Sequence, residues 1–397
     1  MGVPKLRFKA DDGSDFPDWE GMTLGDVGSV AMCKRVFKEQ TREVGDVPFF
    51  KIGTFGGVPD AYISKSLFDE LKSKYAYPEV GTILLSASGT IGRQVEYQGE
   101  DAYYQDSNIV WLEHDDTVLD SYLKQFYSVV KWQGLEGSTI KRLYNKTILD
   151  TPFYRPSLPE QRKIADLLSA VDDVISAREA EVAAWEKRKK GVMQKLFSQE
   201  VRFKADDGSN FPDWEEKTLG EICEQLKASI DPRNNPTKQF IEYSMPAYDN
   251  HMAAQAVLGQ SMNSARKILS APCVLINKLN VRKRRIWVVE HPEDNAVCSS
   301  EFVPLTSAEF DLRFLGYLAM TDSFTGYLLD CSSGSSNSQK RVTPDTILQY
   351  LVSLPSLPEQ RKIADCLTSL GDVIAKAKDE LDAWRELKKG LLQQMFV

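Results

Sequence analysis

The chain has 397 residues, with 49 Lys plus Arg against 57 Asp plus Glu and a formal net charge of -8 at pH 7. At 42% hydrophobic and 27% charged residues it reads as a globular chain of two or three domains, which excludes long disorder. The acidic total also argues against a protein that coats nucleic acid non-specifically, although a local basic surface would escape that argument.

The opening residues lack the apolar stretch of a signal peptide, and no apolar run reaches the roughly 18 residues of a membrane span. Six scattered cysteines without a Cys-x-x-Cys pair read as reduced thiols in a cytoplasmic protein. His114, His251 and His291 are the only histidines, and none has metal-ligand spacing with a cysteine, so no metal is expected.

A long-period repeat organises the chain. Residues 7–20 read RFKADDGSDFPDWE and residues 202–215 read RFKADDGSNFPDWE, differing only at Asp15 against Asn210. Residues 157–166 and 356–365 both read SLPEQRKIAD. A period near 200 residues is too long for a solenoid and indicates a tandem duplication with pseudo-twofold symmetry. Between the repeated blocks lie two variable regions, about 28–140 and 223–339, without obvious similarity to each other.

In chain order, Thr82 to Ser86 gives a strand signal, followed by the turn Ser88-Gly89-Thr90-Ile91-Gly92 and Arg93. Lys141-Arg142 follows a small polar stretch. A helix then opens at Ser157, where Ser157-x-x-Glu160 has the form of a capping box. Its apolar positions Ile164, Leu168, Val171, Ile175, Val182 and Trp185 recur at coiled-coil spacing. In the second copy Val274-Leu275-Ile276 and Ile286-Trp287-Val288-Val289 are strand-like, and residues 314–320 suit a short buried helix. Ser356-x-x-Glu359 again has capping-box form. The second helix carries Ile363, Leu367, Leu370, Ile374, Leu381 and Trp384. Two readings of these stripes remain: helices buried on separate cores, or helices paired with each other, which the matching heptads favour.

Catalytic signatures are missing from the sequence. It has no GxxxxGK[ST] phosphate loop, no Gly-rich turn opening a helix, and no Ser, His and Asp set. Asn235-Pro236-Thr237 lacks the second proline and aromatic residue of an amino-methyltransferase motif. The densest basic run, Arg282-Lys283-Arg284-Arg285, with Lys278 nearby, suits phosphate tracking or guanine reading. It equally suits a solvated charged hairpin. Lys340-Arg341 repeats the position of Lys141-Arg142 beside small polar residues that let a backbone approach a phosphate.

The duplicated Leu158-Pro159-Glu160-Gln161-Arg162-Lys163-Ile164-Ala165 block and its second copy closely resemble the specificity subunits of type I restriction–modification systems. The Lys5-Leu6-Arg7-Phe8 … Trp19 … Leu24-Gly25 opening and the Ser88-Gly89-Thr90-Ile91-Gly92 segment share the resemblance. It covers the whole chain in order. It implies an α+β fold: two mixed α/β target-recognition domains separated by two long helices in an antiparallel coiled coil. The expected boundaries are 1–150 and 201–349 for the recognition domains, and 151–200 and 350–397 for the helices.

By the same resemblance the chain is a non-catalytic reader of bipartite double-stranded DNA. It docks two methyltransferase subunits, which carry S-adenosylmethionine, and works with restriction subunits that use ATP and Mg; no cofactor is expected in this chain. Ser88, Thr90, Arg93, Lys141, Arg142, Lys278, Arg282, Lys283, Arg284, Arg285, Lys340 and Arg341 are the expected DNA-contacting residues. The competing readings are a coiled-coil scaffold without DNA binding and a stand-alone methyltransferase. Segment charges sharpen the opening arithmetic. Residues 1–27 and 201–222 each hold three basic and six acidic residues, and 223–349 is balanced at 13 of each.

Overall fold

A computed structural model describes residues 4–132, 142–334, 336 and 339–396. It divides into two compact units, residues 1–180 with 379–397, and residues 181–378. The dividing points fall inside two long α-helices, Leu158–Phe197 and Leu357–Met395. No helix among the described residues is long and apolar enough to cross a membrane.

In the first unit, strand Glu20–Thr23 pairs antiparallel with Pro152–Arg155, so the opening segment is fastened to the chain just before the long helix. Gly25 follows at a close approach: a Cβ there would lie 3.2 Å from the Leu149 carbonyl oxygen, which favours glycine. A four-stranded sheet comes next, in the order Gly28–Ala31, Ile109–His114, Ile83–Ser86, Gln94–Glu96. A second sheet joins Val47–Phe50 antiparallel to Tyr62–Ile63 and parallel to Tyr103–Tyr104. Leu85, Val110 and Leu112 meet helix Asp120–Tyr127 in one core, while Leu84, Ile109 and Trp111 face the other sheet. That alternation is the period-2 signature of a sheet buried on both faces.

The second unit repeats this plan although its variable region shows no obvious sequence similarity to that of the first. Strand Glu215–Thr218 pairs with Leu351–Leu354, and Gly220 sits 3.2 Å, by the same measure, from the Leu348 carbonyl oxygen. Its four-stranded sheet runs Glu224–Gln225, Phe302–Thr306, Cys273–Asn277, Ile286–Val289. The second sheet again has one parallel pair, Gln239–Tyr243 with Ala296–Ser299, and gains strands Ser229–Ile230 and Arg266–Ile268. Helix Leu312–Ala319 packs on the first sheet as the short buried helix expected from 314–320. The two variable regions thus share one architecture.

The SLPEQRK block does not form the expected capping boxes. Ser157 Oγ and Ser356 Oγ are buried without a hydrogen-bond partner among the described residues. Glu160, fully buried, accepts Arg7 Nε–H at 3.0 Å, Arg7 Nη2–H at 2.9 Å and the Trp19 indole N–H at 3.0 Å. Glu359 does the same with Arg202 at 3.0 and 2.8 Å and Trp214 at 3.1 Å. A guanidinium binds a carboxylate through two charge-assisted bonds, which outcompete a single backbone N–H.

The rest of the block is also spoken for. Gln161 accepts from Leu119 N–H and donates to the Thr117 and Pro156 carbonyls. Lys163 donates to the Lys9 carbonyl and pairs with Asp11. Gln360 and Lys362 repeat these roles, the glutamine with Asp311, Glu309 and Pro355 and the lysine with Lys204 and Asp206. The repeated residues therefore stitch each opening segment and each variable region to a helix start.

Both expected fates of the helical stripes occur. Ile164 and Leu168 are buried in the core of the first unit, and Ile363 and Leu367 in that of the second. Burying such a side chain contributes about 1.5–3 kcal/mol. Farther along, the long helices run antiparallel beside each other. In the first unit Asp172 pairs with Lys388 at 2.6 Å and Glu179 with Arg385 at 2.7 Å. In the second, Glu186 pairs with Lys378 at 2.6 Å. Val171, Val182, Ile374 and Leu381 are buried there, and Ile175, Trp185, Leu370 and Trp384 are half-buried. Leu6 N–H donates to the Gln394 carbonyl at 3.0 Å, matching Val201 N–H to the Lys195 carbonyl at 3.2 Å in the other copy.

Candidate nucleic-acid interface

In each unit a hairpin loop projects from the four-stranded sheet, at residues 87–92 and 278–284. A side chain at the end of the preceding strand fixes its shape. Ser86 Oγ accepts from Arg93 N–H at 2.8 Å and donates to the Thr90 carbonyl. Asn277 Oδ1 accepts from Arg285 N–H at 3.0 Å, and its amide donates to the Leu279 and Asn280 carbonyls.

Three residues on, Gly89 (φ 66°) and Asn280 (φ 54°) both adopt the left-handed conformation. Asparagine enters that region more readily than most residues with a Cβ. The flank is also shared. Ser88 bridges Arg142 while Leu143 N–H donates to the Ala87 carbonyl, and Leu279 bridges Arg341 while Val342 N–H donates to the Lys278 carbonyl. The second loop, lacking Ser-Gly-Thr-Ile-Gly, is thus the counterpart of the first. The sequence signal was a buried strand ending in a small polar residue, followed at the third position by a residue tolerant of positive φ.

The side chains at the two loops differ. In the first, Ser88 donates to Asn108 Oδ1 at 2.9 Å and Thr90 is exposed. Arg93 is exposed but donates to the Phe55 carbonyl at 2.8 Å, and Arg142 donates to the Ser107 carbonyl at 2.6 Å. Lys141 lies outside the described residues.

In the second loop the four consecutive cations separate. Arg285, 8% exposed, makes a two-pronged ion pair with Asp249 at 2.8 and 2.7 Å. That pairing raises the arginine's proton affinity and holds the Asp249 carboxyl below its usual range. Arg284 donates to the Met320 carbonyl at 2.8 Å and to Asp322. Both support the loop rather than lie open at its tip. Arg282 and Lys283 are exposed, and no hydrogen bond or ion pair holds the Arg282 side chain among the described residues. Lys278 and Lys340 are half-buried beside them, and Arg341 is exposed and pairs with Glu301 at 2.8 Å.

Each unit therefore presents a braced loop with open polar tips. Among the described residues, no group of three or more His, Cys, Asp or Glu is placed to hold a metal ion. A family model described as the type I restriction modification DNA specificity domain matches residues 17–184 and again 212–383. The chain belongs to that family.

A type I restriction enzyme specificity subunit of Haemophilus influenzae is 54% identical over 155 residues. That match spans 39% of this chain and 40% of the relative. The MjaVIII specificity subunit of Methanocaldococcus jannaschii is 23% identical over 98% of this chain and 95% of its own length. Among solved structures, the S subunit of a type I restriction–modification system from M. genitalium superposes with a TM-score of 0.59. It has 16% identity, over all of this chain and 99% of that one. A structure addressing assembly and conformational transition of a type I system gives 0.55 at 14% identity, over 96% and 98%. These two likenesses concern the fold. The two matched stretches of the family model coincide with the sequence duplication, one copy of the specificity domain to each.

Proposed function

We propose that the chain is the non-catalytic DNA-reading subunit of a type I restriction–modification complex, and that it recognises a bipartite duplex, one half-site per unit. Residues 1–150 and 201–349 are the recognition modules, and the helices at 151–200 and 350–397 join and space them. The carrying observation is the pair of equivalent loops, braced alike at Ser86 and Asn277 but tipped with different side chains. A duplicated scaffold with diverged tips suits a reader of two different half-sites. The repeated helices offer two equivalent faces, which suits two copies of one methyltransferase partner. In this reading S-adenosylmethionine belongs to that partner, ATP and Mg to the restriction subunits, and the complex works in the cytoplasm.

Exchanging residues 223–339 for the corresponding region of another family member tests the assignment. The expected result is a methylated motif altered in one half only. A change in both halves, or in neither, rejects it.

A further inference from the structure

We propose that the half-site read by the second unit contains a G·C pair and that Arg282 recognises its guanine. This inference rests on the DNA-reading function proposed above.

The loop is preorganised for such a contact. Asn280 N–H donates to the Lys340 carbonyl at 2.7 Å, and Lys283 N–H closes the turn on the Asn280 carbonyl at 2.9 Å. Val281, 2% exposed, plugs the turn into the core beneath. Arg282 is the next residue, so a buried anchor fixes its backbone while its side chain stands exposed.

The basic run is sorted by role. Asp249 holds Arg285, and Met320 and Asp322 hold Arg284, which stiffens the stem. Arg282 has no carboxylate to surrender, so engaging a ligand breaks no ion pair among the described residues. A guanidinium donates two parallel bonds to guanine O6 and N7, a match that no other base edge offers equally well. Lys278 and Lys283 in the loop, and Lys340 on the segment bonded to it, are cations suited to phosphate oxygens, which position without specifying. At the corresponding tip of the first unit, Ser88, Gly89 and Thr90 offer hydroxyls and a bare backbone.

The test uses the full chain with its methyltransferase partner and a pool of randomised duplexes, reading methylated adenines by sequencing. Wild type, Arg282→Gln and Lys283→Gln are compared. The expected wild-type motif has a guanine in one half. Arg282→Gln makes that position degenerate, with discrimination falling about tenfold or more, and leaves the other half intact. Lys283→Gln is expected to lower methylation of all sequences evenly. An even loss with Arg282→Gln, an unchanged motif, or degeneracy at an A·T pair overturns the proposal while the bipartite motif keeps the function standing. If wild type methylates no motif, the function and this inference fall together.

Discussion

The buried Arg7–Glu160–Trp19 contact makes a quantitative prediction, because its counterpart Arg202–Glu359–Trp214 provides an internal replicate. Glu160 and Glu359 side chains are 0% exposed, and Arg7 and Arg202 are 21% and 25% exposed. Removing one member of a buried pair costs about 3–5 kcal/mol, since the other is left uncompensated. Arg7→Ala strands a fully buried carboxylate and is expected to cost about 4 kcal/mol. Glu160→Gln keeps a partner for the Trp19 indole and leaves a guanidinium that reaches water, so about 3 kcal/mol is expected. Against a domain stability of about 5–15 kcal/mol, either is a large loss.

Ser157→Ala is the control. Ser157 Oγ has no partner among the described residues, so the change should be neutral, whereas a capping serine would cost about 1 kcal/mol. Urea unfolding followed by tryptophan fluorescence reads all three, with separate transitions expected for two units. Matching losses are expected at Arg202 and Glu359. A Ser157→Ala loss of about 1 kcal/mol together with a Glu160→Gln loss below that would refute the lock and restore the capping box.

Three further outcomes are expected. A circular permutant with residues 396 and 4 joined by a short linker and new termini between Gln199 and Glu200 should fold, because Leu6 already bonds to Gln394; loss of native circular dichroism would contradict that closure. Gly371→Asp should stabilise the second unit by about 1 kcal/mol. Lys388 has Asp172 while its counterpart Lys189 faces Gly371, and burial lowers the proton affinity of Lys189; a lower urea midpoint would reject this. His114, bonded to Asp120, titrates above the ordinary value of 6.5. The native state then holds more protons than the unfolded one, so this pair stabilises fully below 6.5 and its contribution fades as pH rises through the raised value. A His114 NMR midpoint below 6.5 would contradict it.

The duplication, the long helices and the strands around residues 83 and 274 were legible because periodicity and repetition are written directly in residue type. The role of Glu160 was not. A glutamate three residues after a serine satisfies the capping pattern, and only the return of Arg7 from 153 positions away reveals its competitor. The kinship of the variable regions was hidden for a different reason. Ser86 and Asn277 are different residues meeting one demand, a polar group that accepts a loop N–H. Gly89 and Asn280 likewise meet a demand for positive φ. Within the basic run, sequence alone could not separate Arg285, paired to Asp249, from exposed Arg282, because Asp249 lies 36 positions away.

The central claim, that this chain selects the DNA sequence a methyltransferase partner modifies, is tested most directly by genome-wide mapping of methylated adenine with and without the gene. One bipartite motif should vanish when the chain is absent and return when it is restored. An unchanged methylation pattern in cells that express the partner would contradict it.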